Sequence, residues 1–205
     1  IGSAPQDLKY KGEESTVEIG DNNTIREYVT IQPGTSGGGM TTKIGSGNLF
    51  MANSHVGHDC IVGNRNIIAN SVALSGHVTL QDFVTIGGIS GIHQFVHLGS
   101  YCFLGAGSMV AQDVPPFCMG QGDRAHLVGL NKVGLERGGF SPEEIQILKK
   151  AYRVIFMKSG TMRDKLTQVT KEHGDSKGIK ELVSFIQDSE RGVCGHRAKN
   201  RSLEE

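Results

Sequence analysis

Residues 44–79 read IGSGNL-FMANSH-VGHDCI-VGNRNI-IANSVA-LSGHVT, and each block of six begins with an aliphatic or aromatic residue. The same period continues without a break as far as Val110. An amphipathic helix repeats about every 3.6 residues and a strand about every 2, so a period of six fits neither element alone. It is typical of a parallel β-helix, in which three short strands form a coil of about 18 residues and equivalent positions of successive coils stack.

The residues between the large apolar positions agree with this interpretation. The position after the apolar residue is often glycine, as at Gly45, Gly57 and Gly63, and the position two before the next one is small or β-branched, as at Ser54 and Cys60. Small side chains suit a narrow interior with tight corners. We therefore expect a mainly β protein whose β-helix of hexapeptide repeats, with projecting loops, occupies residues 1–119.

Residues 120–205 are expected to form a connector and a small α-helical domain. Pro115 and Pro116 end the repeat, because proline cannot donate to a strand ladder. Ser141-Pro142-Glu143-Glu144 combines an N-cap, a first-turn proline and a capping-box glutamate, which predicts a helix from residue 142. Residues 161–173 and 176–191 predict two more helices, and the polar tail from Cys194 is expected to fray.

Two features interrupt the repeat or precede it. Thirteen positions separate Ile31 from Ile44, and the glycine-rich insertion at residues 33–39 is expected to project as a loop that reaches a neighbouring subunit. A phosphate-binding loop is disfavoured there because no helix start follows. Ile1-Gly2 reads as a hexad already in progress without an initiator Met, so earlier coils are expected to be missing.

Composition limits the class of protein. The 205 residues are 37% hydrophobic and 20% charged, and the formal net charge is zero, which argues against nucleic-acid or membrane-surface binding driven by charge. Because no apolar run approaches the roughly 18 residues of a membrane span, we expect no integral membrane segment and a cytoplasmic location. The four cysteines include no Cys-x-x-Cys pair, which disfavours a zinc knuckle or a disulfide framework.

Several histidines fall into one column of the predicted coils. His58, Gly76 and Gln94 occupy equivalent positions, His77 and His93 lie one residue to either side of that position, and His55 shares a coil with His58. Polar corner residues are often only solvated, but their convergence beside a glycine favours a site.

Two chemistries suit this column. His58 can act as a general base that Asp59 orients, and the Gly76 amide can stabilise an oxyanion, which together suit acyl transfer. Three neutral imidazoles can instead bind zinc, which would make a hydratase.

Motifs along the chain closely resemble the UDP-N-acetylglucosamine O-acyltransferases that begin lipid A biosynthesis. The likeness extends from the first residues through the connector and weakens in the last third. It rests on QDLKY at 6–10, NSHVGHDC at 53–60, SGHV at 75–78, HQF at 93–95, AQDVPP at 111–116, GLN at 129–131 and RGGF at 137–140.

The resemblance implies a homotrimeric left-handed parallel β-helix with active sites between subunits. It implies transfer of an (R)-3-hydroxyacyl chain from acyl carrier protein to the glucosamine 3-hydroxyl of UDP-N-acetylglucosamine, without an acyl-enzyme, a metal or another cofactor. His58 is then the general base, Asp59 its orienting partner and Gly76 the oxyanion donor. The sugar, pyrophosphate or acyl-pantetheine contacts are expected from Gln6, Asp7, Lys9, His55, His77, His93 and Gln94, and the nucleotide contacts from Asn131 and Arg137.

Some positions depart from the family pattern. Val133 stands where an acidic residue is common, and Gly138 replaces a second basic residue beside Arg137. Ala106 stands at the position that limits the acyl tunnel in the family, so its methyl group is expected to shorten the preferred chain. Lys149, Lys150 and Arg153 on the first predicted helix are candidates to meet the acidic carrier protein, and a simply solvated helix face is the alternative interpretation.

Three competing functions differ in a testable way. An N-acyltransferase of the same pathway has an amine acceptor, but the QDLKY loop and the connector motif speak against it. A zinc hydratase would lose activity with a chelator. A catalytically silent trimeric scaffold would bind neither sugar nucleotide nor acyl carrier protein.

Overall fold

A computed structural model describes residues 1–196. Short parallel strands form three sheets that close into a parallel β-helix, as the hexad period predicts. The first sheet contains β1 (Thr16–Ile19), β4 (Thr41–Ile44), β7 (Ile61–Val62), β10 (Thr79–Leu80) and β13 (His97–Leu98). The second contains β2 (Thr24–Ile25), β5 (Leu49–Phe50), β8 (Ile67–Ile68), β11 (Thr85–Ile86), β14 (Phe103–Leu104), β16 (Cys118–Gln121) and β17 (His126–Leu130). The third contains β3 (Thr30–Ile31), β6 (His55–Val56), β9 (Ala73–Leu74), β12 (Gly91–Ile92) and β15 (Met109–Val110).

The apolar residue of each hexad points into the β-helix. Val56, Leu74 and Ile92 pair in register across the third sheet, and each is at most 1% exposed. Burying one such side chain contributes about 1.5–3 kcal/mol. Because the pairing joins equivalent positions of successive coils, it also fixes which corner residues come together.

The corners of the coils use left-handed backbone conformations at residues other than glycine. Asp59, His77 and Phe95 have φ angles of 58°, 61° and 64° and occupy the same corner of three successive coils. A backbone hydrogen bond joins each coil to the next, from His77 N–H to the His58 carbonyl at 2.9 Å and from Phe95 N–H to the Gly76 carbonyl at 3.3 Å. The inter-coil bonds therefore hold the corner residues in a conformation that L-residues disfavour.

The glycine-rich insertion projects only in part. Residues 31–35 are buried and residues 36–39 are exposed. The Gly34 amide donates to the Thr16 carbonyl at 3.3 Å, and Thr35 is 2% exposed. The inner half of the insertion thus packs on its own β-helix rather than extending away from it.

The region expected to be a connector is more ordered than the sequence indicated. β16 continues the second sheet parallel to β14, and β17 returns antiparallel to it through a register shift at Met119/Gly120. The domain boundary that we predict between residues 119 and 120 falls inside β16. A short helix, α1 (Lys132–Arg137), follows; six residues are too few for an apolar period to be recognised in sequence.

The helical part has its own apolar core. It contains α2 (Pro142–Tyr152), a π-helical turn (Arg153–Met157), α3 (Met162–His173) and α4 (Lys177–Asp188). The capping box predicted at Ser141 and Glu144 is present. Leu135, Leu148, Val169 and Leu182 are among its buried residues. None of the helices within residues 1–196 has the length and apolarity needed to cross a membrane.

The expectation of a frayed tail from Cys194 is wrong for the described residues. Cys194 is 1% exposed, its amide donates to the Asp113 carbonyl at 2.8 Å, and His196 forms a parallel bridge with Leu127. The polar composition of this segment did not predict its packing, because the contacts are made by backbone groups and by the buried Cys194 thiol. Residues 197–205 lie outside the described part of the chain.

Asp113 joins this returning segment to the end of the β-helix. Its carboxylate is 2% exposed and accepts hydrogen bonds from the His97 N–H at 2.8 Å and the Ser189 hydroxyl at 2.6 Å. We expect Asp113→Ala to lower the free energy of unfolding by about 1–3 kcal/mol, because the His97 N–H and the Ser189 hydroxyl lose a buried acceptor. Urea denaturation at fixed protein concentration measures this loss. Asp175→Ala, at an exposed position, is the control, and equal midpoints for the two variants would contradict the assignment.

Candidate active site

Three pairs of corner residues stack where the first and third sheets meet. His58 and Asp59 follow β6, Gly76 and His77 follow β9, and Gln94 and Phe95 follow β12. These are the residues that the hexad period places in one column. The column predicted from the sequence therefore exists in the structure, and its residues lie together at one corner of the β-helix.

His58 and Asp59 form a hydrogen-bonded pair at this corner. The distance from His58 Nδ1 to Asp59 Oδ2 is 2.8 Å, and the side chains are 14% and 1% exposed. A carboxylate can only accept, so Nδ1 is the protonated nitrogen of a neutral His58 ring. The Nε2 atom is then left with a lone pair that can accept a proton.

Asp59 is held by the glycine-rich insertion. Thr35 donates its amide to Asp59 Oδ1 at 2.9 Å and its hydroxyl to Oδ2 at 2.7 Å. The Asp59 amide donates to the Thr42 hydroxyl at 2.8 Å, and a Cβ at Gly38 would collide with the Asp59 carboxylate. The carboxylate is thus fixed from both sides while it accepts from His58.

Thr35 is a site residue that the sequence did not reveal. It lies in the insertion, outside the hexad period, so no positional rule placed it near Asp59. The only local signal was that several glycines surround a hydroxyl residue, which permits close approach of one segment to another.

Gly76 lies directly beneath the His58 ring. A Cβ added at Gly76 would lie 2.5 Å from both Cε1 and Nε2 of His58, so only glycine leaves room for the imidazole. Within residues 1–196, no hydrogen bond engages the Gly76 N–H, whereas its carbonyl accepts from Phe95. An unpaired amide beside a proton acceptor is the arrangement that a developing oxyanion requires.

His77 and His55 flank the pair as neutral imidazoles. The His77 ring stacks on Phe95 with centroids 4.4 Å apart and meets the His58 ring edge-on at 5.0 Å. Burial lowers the pKa of His77, and burial together with the nearby His58 lowers the pKa of His55. The His55 Nδ1 lies 2.7 Å from the Thr30 hydroxyl, which orients that ring.

The QDLKY loop reaches the same corner. Asp7 and Lys9 lie close enough to His77 to act on its pKa, although both effects are smaller than those of burial, Asp59 and His58. The Gln6 amide donates to the Gln32 side chain at 3.1 Å, and the Lys9 amide donates to Asp7 at 2.9 Å. The loop therefore presents Gln6 and Lys9 as exposed side chains beside the histidines.

His93 and Gln94 extend the site along the third sheet. His93 is exposed and lines a cavity of about 540 Å³ together with Ser75, Gly91 and Met109. The cavity crosses the outer face of the sheet and reaches Arg124 on the β16–β17 turn. Its apolar lining suits an extended hydrocarbon chain that starts beside the column.

Asn131, Arg137 and Ala106 lie away from the column within one chain. Asn131 caps α1, with its side-chain oxygen accepting from Gly134 N–H at 3.1 Å and its Nδ2 donating to the Tyr101 carbonyl at 2.8 Å. It shares a cavity of about 600 Å³ with Arg137, Arg65 and Phe83, on the side of the second sheet. Ala106 is exposed at a corner beside Gly87 and does not line the cavity next to His93.

The site also contains potential metal ligands. One donor atom from each of His58, Asp59 and His77 lies within 4.8 Å of the others. The shortest of these separations is already occupied by the hydrogen bond between His58 and Asp59. The corner can thus serve proton transfer directly, and its donor set is also compatible with a cation.

Comparison with known proteins identifies two matching regions. Residues 113–194 match the family described as UDP N-acetylglucosamine O-acyltransferase, domain 2. Residues 41–76 match the bacterial transferase hexapeptide family of six repeats.

Named relatives and solved structures match nearly all of the described chain. Proteins named acyl-(acyl-carrier-protein)–UDP-N-acetylglucosamine O-acyltransferase from Aliarcobacter butzleri and Myxococcus xanthus are 48% and 50% identical over 96% and 94% of this chain, which covers 75% of each. The structure of LpxA from Acinetobacter baumannii superposes with a TM-score of 0.91 at 45% identity, over 95% of this chain and 76% of that one. The UDP-N-acetylglucosamine acyltransferase from Campylobacter jejuni superposes with a TM-score of 0.90 at 39% identity, over 96% and 76%.

The lowered pKa of His55 predicts how stability depends on pH. The pKa of His55 is 6.5 in the unfolded chain and lower in the folded protein, so the unfolded state binds a proton more readily. The contribution of neutral His55 to folding stability is therefore fully present above pH 6.5 and is lost as the pH falls through the lower folded pKa. We expect His55→Asn to reduce the loss of stability between about pH 7 and about pH 5.5. Urea unfolding across this range measures it, with His173→Asn on α3 as the control. A slope equal to that of the wild type would contradict the prediction.

Proposed function

The chain belongs to the UDP-N-acetylglucosamine O-acyltransferase family, and we propose that it uses His58 as the general base of that reaction. It transfers an acyl chain from acyl carrier protein to UDP-N-acetylglucosamine, the first step of lipid A biosynthesis. The proposed donor carries an (R)-3-hydroxyacyl chain and the proposed acceptor is the glucosamine 3-hydroxyl. The observation that supports the mechanism best is the His58–Asp59 pair directly over the free Gly76 amide.

The reaction follows from the protonation state of His58. The Nε2 atom removes the proton from the sugar hydroxyl as the oxygen attacks the thioester carbonyl carbon, and Asp59 stabilises the imidazolium that forms. The Gly76 N–H donates to the carbonyl oxygen while it bears negative charge in the tetrahedral intermediate. The C–S bond then breaks, and the His58 proton passes to the departing pantetheine thiolate. The products are an O-acyl ester and a free carrier thiol.

Direct transfer fits the side chains near the base. The nearby cysteine, Cys60, is fully buried, and burial raises the pKa of its thiol to about 12. Its Sγ lies 3.1 Å from the Ser75 carbonyl, to which it donates. A thiol in this state is a poor nucleophile, so Cys60 does not favour an acyl-enzyme mechanism.

We assign substrate contacts by position around the base. His55, His77 and the Gln6–Asp7–Lys9 loop surround the place where the sugar and pyrophosphate would lie. His93 and Gln94 stand at the entrance of the cavity on the third sheet, where the acyl-pantetheine would enter. Ala106 does not line that cavity within one chain, and we propose that it limits the length of the acyl chain from the corner between β14 and β15.

The nucleotide contacts require a second subunit. Asn131 and Arg137 line a cavity on the second sheet, and that cavity shares no lining residue with the one next to His93. A cytoplasmic homotrimer that brings one subunit's α1 against the next subunit's histidine column would unite them. In that arrangement Asn131 fixes the start of α1 by capping it, and Arg137 in the last turn of α1 contacts the nucleotide.

The carrier protein is proposed to dock on α2. Lys149 and Arg153 line a cavity of about 740 Å³ that also contains the apolar side chains of Val128 and Met157, and Lys150 is exposed beside them. A basic rim around an apolar cavity complements an acidic partner that inserts apolar side chains.

The role of His58 is tested by following the product directly. We expect His58→Ala to lower the turnover number by about 10²- to 10⁴-fold, because proton removal from the hydroxyl loses its base. Mass spectrometry of reactions with UDP-N-acetylglucosamine and a panel of 3-hydroxyacyl carrier proteins measures the product and its chain length. His173→Ala is the matched control, and a parallel reaction contains chelator.

Each result of that experiment has a separate meaning. Full activity of His58→Ala with an intact fold would refute the general-base assignment. Loss of the acylated product in the presence of chelator would contradict a metal-independent reaction, and acylation only of an amine analogue of the sugar nucleotide would favour the N-acyltransferase.

Thr35 is proposed to position the catalytic pair. We expect Thr35→Val to lower kcat about tenfold to a hundredfold with little change in KM, since a hydrogen bond to a charged group contributes about 1.5–3 kcal/mol and Thr35 is not placed against substrate. Thr35→Ser retains the hydroxyl and should restore most of kcat. Thr24→Val, at an exposed position of β2, is the control. A rise in KM with unchanged kcat would show that Thr35 serves binding rather than positioning.

A further inference from the structure

The histidine corner contains a donor set that the proposed reaction does not use as a whole. Asp59 Oδ2 lies 2.8 Å from His58 Nδ1 and 4.0 Å from His77 Nε2. Ligand atoms around a tetrahedral Zn²⁺ are about 3.4 Å apart, given bonds of about 2.0–2.2 Å. These two separations lie on either side of this value, and the donor atoms of the three residues lie within 4.8 Å of one another, so a shift of about 1 Å in each imidazole would complete three ligands.

The side chains differ in how easily they can make this shift. Asp59 is fixed by the Thr35 amide and hydroxyl, yet a carboxylate oxygen has lone pairs for a further partner. The His77 side chain is 20% exposed and rests on the face of Phe95, which allows the ring to slide in its own plane. One anchored carboxylate and one adjustable imidazole suit a site that accepts a metal without being preformed for it.

We propose that Zn²⁺, or a divalent ion of similar preference for nitrogen ligands, binds between His58 Nδ1, Asp59 Oδ2 and His77 Nε2 and inhibits the enzyme. The inhibition rests on the proposed role of His58, whereas the binding does not. The ion takes the Nδ1 lone pair, so the single proton of the neutral ring moves from Nδ1 to Nε2. The ring is then a hydrogen-bond donor at Nε2 and can no longer accept the proton of the sugar hydroxyl.

This mode of inhibition has a particular chemical signature. The metal lies on the Asp59 side of the ring, opposite the nitrogen that faces the substrate. Inhibition therefore arises from a change of tautomer, and substrate binding need not be blocked by the ion itself. Two histidines and one carboxylate leave a fourth position for water, as in open zinc sites.

Binding is tested on the intact protein without substrate. Calorimetric titration of metal-free protein with Zn²⁺ is expected to show one site per chain. His77→Asn is expected to weaken binding by at least about tenfold, the lower range for loss of even an outer partner of a metal site. His173→Asn, on α3, is expected to bind as the wild type does. Absence of binding, or equal affinity for His77→Asn and the wild type, would overturn the proposal.

The tautomer is read separately from activity. Nitrogen-detected or long-range ¹H–¹⁵N NMR of the His58 ring is expected to show a proton on Nδ1 in metal-free protein and on Nε2 in the zinc complex. A His58 ring that keeps its Nδ1 proton with Zn²⁺ bound would refute the inhibitory mechanism.

Initial rates then connect the site to catalysis. Product formation is expected to fall as this site fills and to return after chelator removes the ion. If metal-free wild type forms no product, the proposed function fails while the binding result stands. If product formation continues unchanged in the saturated complex, the inhibitory role is wrong and the proposed function stands.

Discussion

The hydrogen bond from one coil to the next is the interaction on which the whole structure depends. Between β6 and β9, for example, the His55 N–H donates to the Val72 carbonyl and the Gly57 N–H donates to the Leu74 carbonyl, each at 2.8 Å, which holds Val56 in register with Leu74. This spacing keeps the apolar residue of each hexad in the interior and returns every corner to the same edge. A site can then be assembled from residues far apart in sequence, without a loop that must fold around it.

The same bonds explain why the corner tolerates unusual backbone. Asp59, His77 and Phe95 adopt positive φ angles, which cost free energy in L-residues. Each of these residues is hydrogen-bonded to a neighbouring coil, and these bonds offset the conformational free energy of the positive φ angle. The backbone carbonyls of His58 and Gly76 accept from the next coil, and the Gly76 amide is left over. The proposed oxyanion donor is thus an amide that the regular hydrogen-bonding pattern leaves free among the described residues.

The sequence predicts the parts of the site that obey the period. The six-residue period alone predicts that His58, Gly76 and Gln94 stack in one column. The capping residues Ser141 and Glu144 alone predict where the next helix begins. Thr35 and the returning segment near Cys194 could not be found in this way, because their contacts join segments with no fixed spacing. Asn131 illustrates a further limit. A motif can mark its position, but only the structure shows that both polar atoms of its side chain are engaged within the chain.

One proton decides what the corner can do. Because Asp59 only accepts, it keeps the His58 proton on Nδ1 and leaves Nε2 basic, and Thr35 matters because it prevents the carboxylate from turning away. Proximity of His77 to that carboxylate then creates a second possible state, in which a cation replaces the Nδ1 proton and reverses the tautomer. The proposed general base and the proposed metal site therefore share the same imidazoles and the same buried carboxylate. The features that orient the base are the same features that would hold the ion.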